Sequence, residues 1–289
     1  MNEPVDELVD GFTRLRLDFG YDGTDFFGWS KQTDLRTIQG EFLKALTLIF
    51  GEVENGFGLR VAGRTDAGVH AVGQVLHMDI LDSQLKRLGR NNSMADIAYK
   101  LNGLLPLDIR INKVSVAPEG FDARFSAINR RYRYRLADQT ATKNPLESRF
   151  TLETFGNLDT DAMNEAGRVL LGLHDFASFC KPREGSTTIR ELQEIVVNRV
   201  ANGVVEIEVQ ADAFCHNMVR SIVGALIGVG QGKADAAKIK ELLEKTNREG
   251  SFKVVSPHGL QLMAIGYPAD DLLAVQAKEA RNLRTLEDN

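Results

Sequence analysis

The sequence predicts an α+β protein. Two tandem ferredoxin-like β-α-β-β-α-β units, the topology of RRM-like modules, would form an extended antiparallel sheet with helices on one face and a central active-site cleft. Three observations carry this expectation. Some stretches alternate apolar and polar residues with period two, while others repeat apolar residues at helical spacing. The resulting order of strands and helices occurs twice. Between the two copies, "APEGFD" (117–122) breaks the pattern with Pro118 and Gly120. The expected domains are 12–119 and 120–268, with weakly ordered acidic ends at 1–11 and 269–289.

Residues 12–22, "FTRLRLDFGYD", alternate at Leu15, Leu17 and Phe19, as a half-buried strand does. In "TIQGEFLKALTLIFG" (37–51), Ile38, Phe42, Leu46 and Ile49 mark one helix face, with Thr37 as N-cap and Gly51 as stop. Strands follow at 58–63 and 73–80, the latter alternating at Leu76, Met78 and Ile80. Ser93 caps a second helix through Ile97 and Leu101, and "IRINKVSVA" (109–117) closes the first unit. The second unit opens with the strand "RRYRYRLA" (130–137). A helix at 160–172 turns Met163, Ala166 and Leu170 inward, and strands near 190–200 and 204–212 meet at "ANG" (201–203). An apolar helix at 216–230, a short helix at 235–245 and a last strand at 260–267 complete the repeat.

A chain of 289 residues, 43% hydrophobic and 26% charged, is ordinary for a globular protein with one large or two medium domains. No apolar run approaches the ~20 residues of a membrane span. "MNEPVDELVDG" lacks the apolar core of a secretory leader. Two cysteines, Cys180 and Cys215, give no disulfide framework, so a reducing cytoplasm is expected. The net charge of −5 comes from the ends, for residues 1–10 alone carry −4. The body is near neutral, yet "ARFSAINRRYRYR" (123–135) holds Arg124, Arg130, Arg131, Arg133 and Arg135 without one acid. Such a patch can bind phosphates.

The first chemical motif is "AGRTDAGVHAVGQV" (62–75), where Arg64 and Asp66 stand two apart at a strand end. In extended geometry their side chains share a face, and a guanidinium there keeps the carboxylate ionised. Asp66 then serves as nucleophile, as base, or simply as the opening of an Asx-type turn. In the arginine–tyrosine run, Tyr132 and Tyr134 fall on one strand face and Arg131, Arg133 and Arg135 on the other. One face offers stacking and the other phosphate contacts; the plainer reading is an edge strand with a solvated basic face. The five histidines are scattered, adjacent Cys215 and His216 make a poor chelate, and no spacing suits zinc. There is no phosphate-binding loop, since "GALIGVGQG" (224–232) sits at a helix C-terminus.

Together these stretches resemble the tRNA pseudouridine synthase A family. "AGRTDAGVHAVGQV" resembles its catalytic signature, "YDGTDFFGW" (21–29) its N-terminal strand and turn, and "FDARFSAINRRYRYRL" (121–136) its arginine–tyrosine segment. "HDFASF" (174–179), "ADAFCHNMVRSIVGAL" (211–226) and "PHGLQLMAIGYP" (257–268) resemble successive later motifs. The loop "CKPREGSTTIREL" (180–192) departs from the best-known bacterial members. The resemblance implies isomerisation of uridine to pseudouridine in the tRNA anticodon stem-loop, at tRNA positions 38, 39 and 40. It implies a homodimer, no cofactor and no metal. It places Asp66 on the catalytic aspartate, Arg64 on the arginine paired with it and Tyr132 on the active-site tyrosine. Arg220 matches an arginine that reaches the aspartate, and Leu260 an apolar residue against the uracil. Arg124, Arg131 and Arg133 are the expected RNA contacts. A non-catalytic pair of RRM-like RNA-binding modules is the alternative; it would use the arginines and tyrosines without needing Asp66.

Overall fold

The computed structural model describes residues 11–52, 56–87, 93–183, 187–245, 247, 252–282 and 285–286. The acidic stretch 1–10 and residues 184–186 of the divergent loop lie outside them. The chain forms a mixed α+β structure whose residues fall into two compact units, one spanning residues up to Ile128 together with Ile265–Asn282, the other Asn129–Ala264.

In the first unit the elements run β1 (Phe12–Tyr21), α1 (Ile38–Phe50), β2 (Arg60–Val61), β3 (His70–Leu81), α2 (Asp82–Arg87), α3 (Met94–Leu104) and β4 (Ile109–Val116). β1 lies between β4 and β3, and β2 pairs with the far side of β3, all antiparallel. The alternation read from the sequence is the burial pattern of β1: Leu15, Leu17 and Phe19 are fully buried while Arg16 and Asp18 are half-buried. Phe19 meets Phe42 of α1 edge-on, ring centroids 4.9 Å apart, and Trp29 closes the same cluster. Thr37 caps α1 by accepting from the Gly40 N–H, and Ser93 caps α3 in a reciprocal capping box with Asp96.

The second unit runs β5 (Asn129–Ala137), β6 (Leu152–Glu153), α4 (Thr160–Arg168), β7 (Gly172–Asp175), β8 (Ile189–Arg199), β9 (Val205–Ala211), α5 (Met218–Gly230), α6 (Ala236–Leu243) and β10 (Leu260–Gly266). Its strand order is β10-β5-β9-β8-β7. With β6 and β7 set aside, the neighbours repeat those of the first unit: the opening strand lies between the last and the third. β6 and β7 are additions that two- and four-residue lengths hid from the sequence pattern. The helix expected over 160–172 stops at Arg168, because Gly172, at φ +99°, starts a strand instead.

Three further features are local to particular residues. The first compact unit runs to residue 128, and Phe121 and Ala123 are buried in it with Ala62, Val75 and Leu273. Within the acidic C-terminal end, residues 273–279 form α7 (Leu273–Glu279), whose Leu273 and Ala277 are buried. Finally, Cys180 and Cys215 lie side by side, with Cα atoms 5.7 Å apart. Thirty-five residues separate them in the chain, and only the hairpin folding of β8 and β9 brings them together.

Candidate active site

From the end of β2 at Val61 the chain runs through Gly63, Arg64, Thr65 and Asp66 before entering β3 at His70. Asp66 is exposed, and its carbonyl accepts the Val69 N–H at 3.2 Å, closing a turn. Arg64 is also exposed. The two-residue spacing implied a shared face only for extended chain, and the strand ends before either residue.

The loop is clamped by residues 21–29. The Trp29 N–H donates to the Thr65 carbonyl at 3.0 Å, the Gly68 N–H to the Phe26 carbonyl at 3.2 Å, and the Gly23 N–H to His70 Nδ1 at 3.1 Å. Gly28, at φ +85°, has no room for a side chain: a Cβ there would lie 2.9 Å from the Thr65 carbonyl oxygen. Underneath, the Tyr21 hydroxyl lies 2.7 Å from Thr65 Oγ1, and Gln74 Nε2 donates to the Gly63 carbonyl at 2.8 Å and to the Tyr21 hydroxyl at 3.4 Å. Burial pushes the Tyr21 phenol up to about 12, despite the opposing bonds from Thr65 and Gln74. The stretches "YDGTDFFGW" and "AGRTDAGVHA" are thus two halves of one structure that holds Asp66 at its tip.

In the second unit, Tyr132 sits on β5 opposite Val209 of β9, buried, with Phe214 meeting its ring at 5.2 Å and 90°. Tyr134, two residues on and fully buried, donates its hydroxyl to the Ser256 carbonyl at 2.6 Å. Leu260 is buried at the start of β10, which neighbours β5. Arg220 is half-buried in the first turns of α5; its Nε donates to the Val255 carbonyl at 2.7 Å and its Nη1 to Asn217 Oδ1 at 3.3 Å. Asn217 caps that helix in the left-handed conformation, φ 68°.

The arginine face of β5 is not the open basic surface the sequence suggested. Arg133 pairs with Glu208 at 2.6 Å and Glu206 at 3.3 Å, Arg131 with Gln210 and Glu194, and Arg135 with Glu147 and Glu206. The register sets Arg133 opposite Glu208 and Arg135 opposite Glu206, so acids more than 70 residues away neutralise a run that holds none of its own. Arg124 belongs to the first unit, is exposed, and lies over the Phe125 ring at 4.9 Å.

Tyr21, Thr65, Gln74 and Phe214 were not singled out from the sequence. The one signal was Gln74, a polar residue in the row Gln74, Leu76, Met78 and Ile80, all fully buried. Among the described residues no group of three His, Cys, Asp or Glu side chains could hold a metal, and no helix is long and apolar enough to cross a membrane.

Residues 166–268 match the sequence model of a family described as tRNA pseudouridine synthase. The chain is 50% identical to a tRNA pseudouridine synthase A of Streptomyces avermitilis, over 97% of both chains. It is 47% identical to one of Leifsonia xyli, covering 96% of this chain and 100% of the relative. It is 44% identical to one of Mycobacterium leprae, covering 94% and 96%. Identity at this level along nearly the whole length is decisive: the chain belongs to the tRNA pseudouridine synthase A family and is an isomerase.

Proposed function

We propose that the protein converts uridine to pseudouridine in the anticodon stem-loop of tRNA, at positions 38, 39 and 40, with Asp66 as its catalytic carboxylate. The observation that carries this is the Asp66 loop, an exposed carboxylate on a rigidly clamped turn in a chain of this family. We read each unit as ferredoxin-like; the matching strand neighbours support that reading. The family's homodimer and a cytoplasmic setting are part of the same proposal.

The reaction breaks the bond between uracil N1 and C1′ and forms one between C5 and C1′; the C5 proton is lost and N1 takes one up. No atom is added, so the detached base must be held while it turns. Asp66 acts on the ribose, by attack at C1′ or by taking the 2′ proton; either route needs the ionised form. A stacked base must first be flipped out, at a cost of a few kcal/mol. Arg64, exposed beside Asp66, is placed to enter the gap that the base leaves. Tyr132 stacks on the base, Leu260 packs on the uracil and Arg220 is a substrate-binding residue. Arg124 contacts phosphate.

The test is release of tritium from tRNA labelled at uridine C5, for the wild type and Asp66→Asn in parallel. Release by the wild type only, with tRNA binding kept by the variant, is the expected result. Release by Asp66→Asn at the wild-type rate would remove Asp66 from the chemistry. Binding by both proteins with release by neither would favour the paired RNA-binding modules.

A further inference from the structure

We propose that Tyr21, Thr65 and Gln74 are positioning residues for the isomerisation, a buried hydrogen-bonded relay that sets the direction of the Asp66 side chain. The inference rests on the reading of Asp66 as the catalytic carboxylate.

The relay has a definite polarity. A glutamine amide nitrogen only donates, so Gln74 Nε2 occupies the acceptor side of the Tyr21 hydroxyl. The phenol proton then goes to Thr65 Oγ1, 2.7 Å away. The Thr65 hydroxyl, already an acceptor from Tyr21, turns its own proton away from the relay. Gln74 also holds the Gly63 carbonyl, and Trp29 holds that of Thr65. Two carbonyls and one hydroxyl in the three residues before Asp66 are therefore fixed from below. Because the phenol is held far above its ordinary range by burial, it keeps its proton throughout neutral pH and the polarity does not reverse.

Backbone geometry places these groups together. The β1–β3 register slips between Phe19 and Tyr21: Phe19 faces Gln74, but Tyr21 faces Ala71, so β3 carries an extra residue there. Such bulges re-aim side chains beside functional sites. Here the slip brings the Tyr21 hydroxyl under Thr65 and into reach of Gln74. An amide at a wholly buried site, in a row otherwise filled by Leu76, Met78 and Ile80, adds nothing to apolar packing. Its contribution is to specify one loop geometry. A displacement of about 1 Å in a reacting group can cost on the order of 100-fold in rate.

The experiment measures kcat and KM for tritium release, with thermal midpoints, in Tyr21→Phe, Thr65→Val, their double variant and Thr65→Ser, alongside Asp66→Asn. We expect kcat to fall about tenfold or more in each of the first two, with KM within about twofold. The double variant should be no worse than either single one, since both remove the same bond. Thr65→Ser, which keeps the hydroxyl, should recover most of the activity. If kcat stays within twofold of wild type in Tyr21→Phe and Thr65→Val, the relay has no positioning role. Losses that multiply in the double variant, or that follow the thermal midpoint, would equally overturn it. Loss of activity in Asp66→Asn with full activity in Tyr21→Phe would sink the relay alone; full activity in Asp66→Asn would sink the catalytic reading beneath it.

Discussion

Arg133 and Asp66 are both ionisable residues, but their surroundings differ. Arg133 lies against Glu208 and Glu206 across the β5–β9 ladder. That pair is part-exposed, so its contribution to stability is small, about 0.5–1 kcal/mol. We predict that Arg133→Gln lowers the thermal midpoint by a few degrees at most and leaves the salt dependence of tRNA binding unchanged. A guanidinium already neutralised by carboxylates releases no counterions. Arg124→Gln, at an exposed arginine, should flatten the slope of log affinity against log salt by about one. Filter binding at several salt concentrations separates the two. The turn that carries Asp66 was legible from the sequence because it is a short, glycine-rich motif whose residues all lie together. The neutralisation of Arg131 and Arg133 was not, because the acids come from β8 and β9.

At the scale of elements, what matters is how the two motifs of the first unit interlock. Each looked like an ordinary turn. In the structure the 21–29 segment forms the seat of the 63–69 loop, and Gly28 is one of the places where the backbones come close. We predict that Gly28→Ala lowers stability by about 1–2 kcal/mol from its left-handed backbone alone. Contact with the Thr65 carbonyl adds to this, and kcat should fall as the seat shifts. A wild-type kcat and thermal midpoint in this variant would show that the seat is not needed. The starts of α1 and α3 were read well, since Thr37 and Ser93 cap them through contacts three residues away. β6 and β7 were missed because strands of two and four residues have too few positions to show a period.

For the whole molecule, stability against acid follows from groups the chemistry does not use. His77 is fully buried on β3, accepts the Ala123 N–H at 2.9 Å, and faces Arg14, Asp122, Asp79 and Arg60. Burial, with Arg14 next, pushes it down to about 4. Between pH 6.5 and 4 the unfolded chain binds this proton and the folded one does not, so stability falls with pH by about 1.4 kcal/mol per unit. Asp138 acts in the same direction at lower pH. Burial raises its carboxyl, but bonds from Arg199, the Leu158 N–H and Thr140 outweigh it and hold it far below the carboxylate range. Its contribution is full above its unfolded value and is lost as pH drops toward the folded one. We predict that His77→Gln, which keeps an acceptor for Ala123, flattens the fall of the thermal midpoint between pH 6.5 and 4.5. Parallel curves for variant and wild type would exclude His77 as the sensor.

The sequence by itself determined most of the elements and the family resemblance, since each is written in residues close together in the chain. Period, caps and turn motifs act over a few residues. Only the tertiary structure decided that Arg131 and Arg133 are neutralised, that Cys180 meets Cys215, and that Tyr21 and Gln74 meet beneath Thr65. Those facts depend on strand pairing and on a one-residue slip of register, and register is set by the packing of the whole sheet face rather than by any local run of side chains.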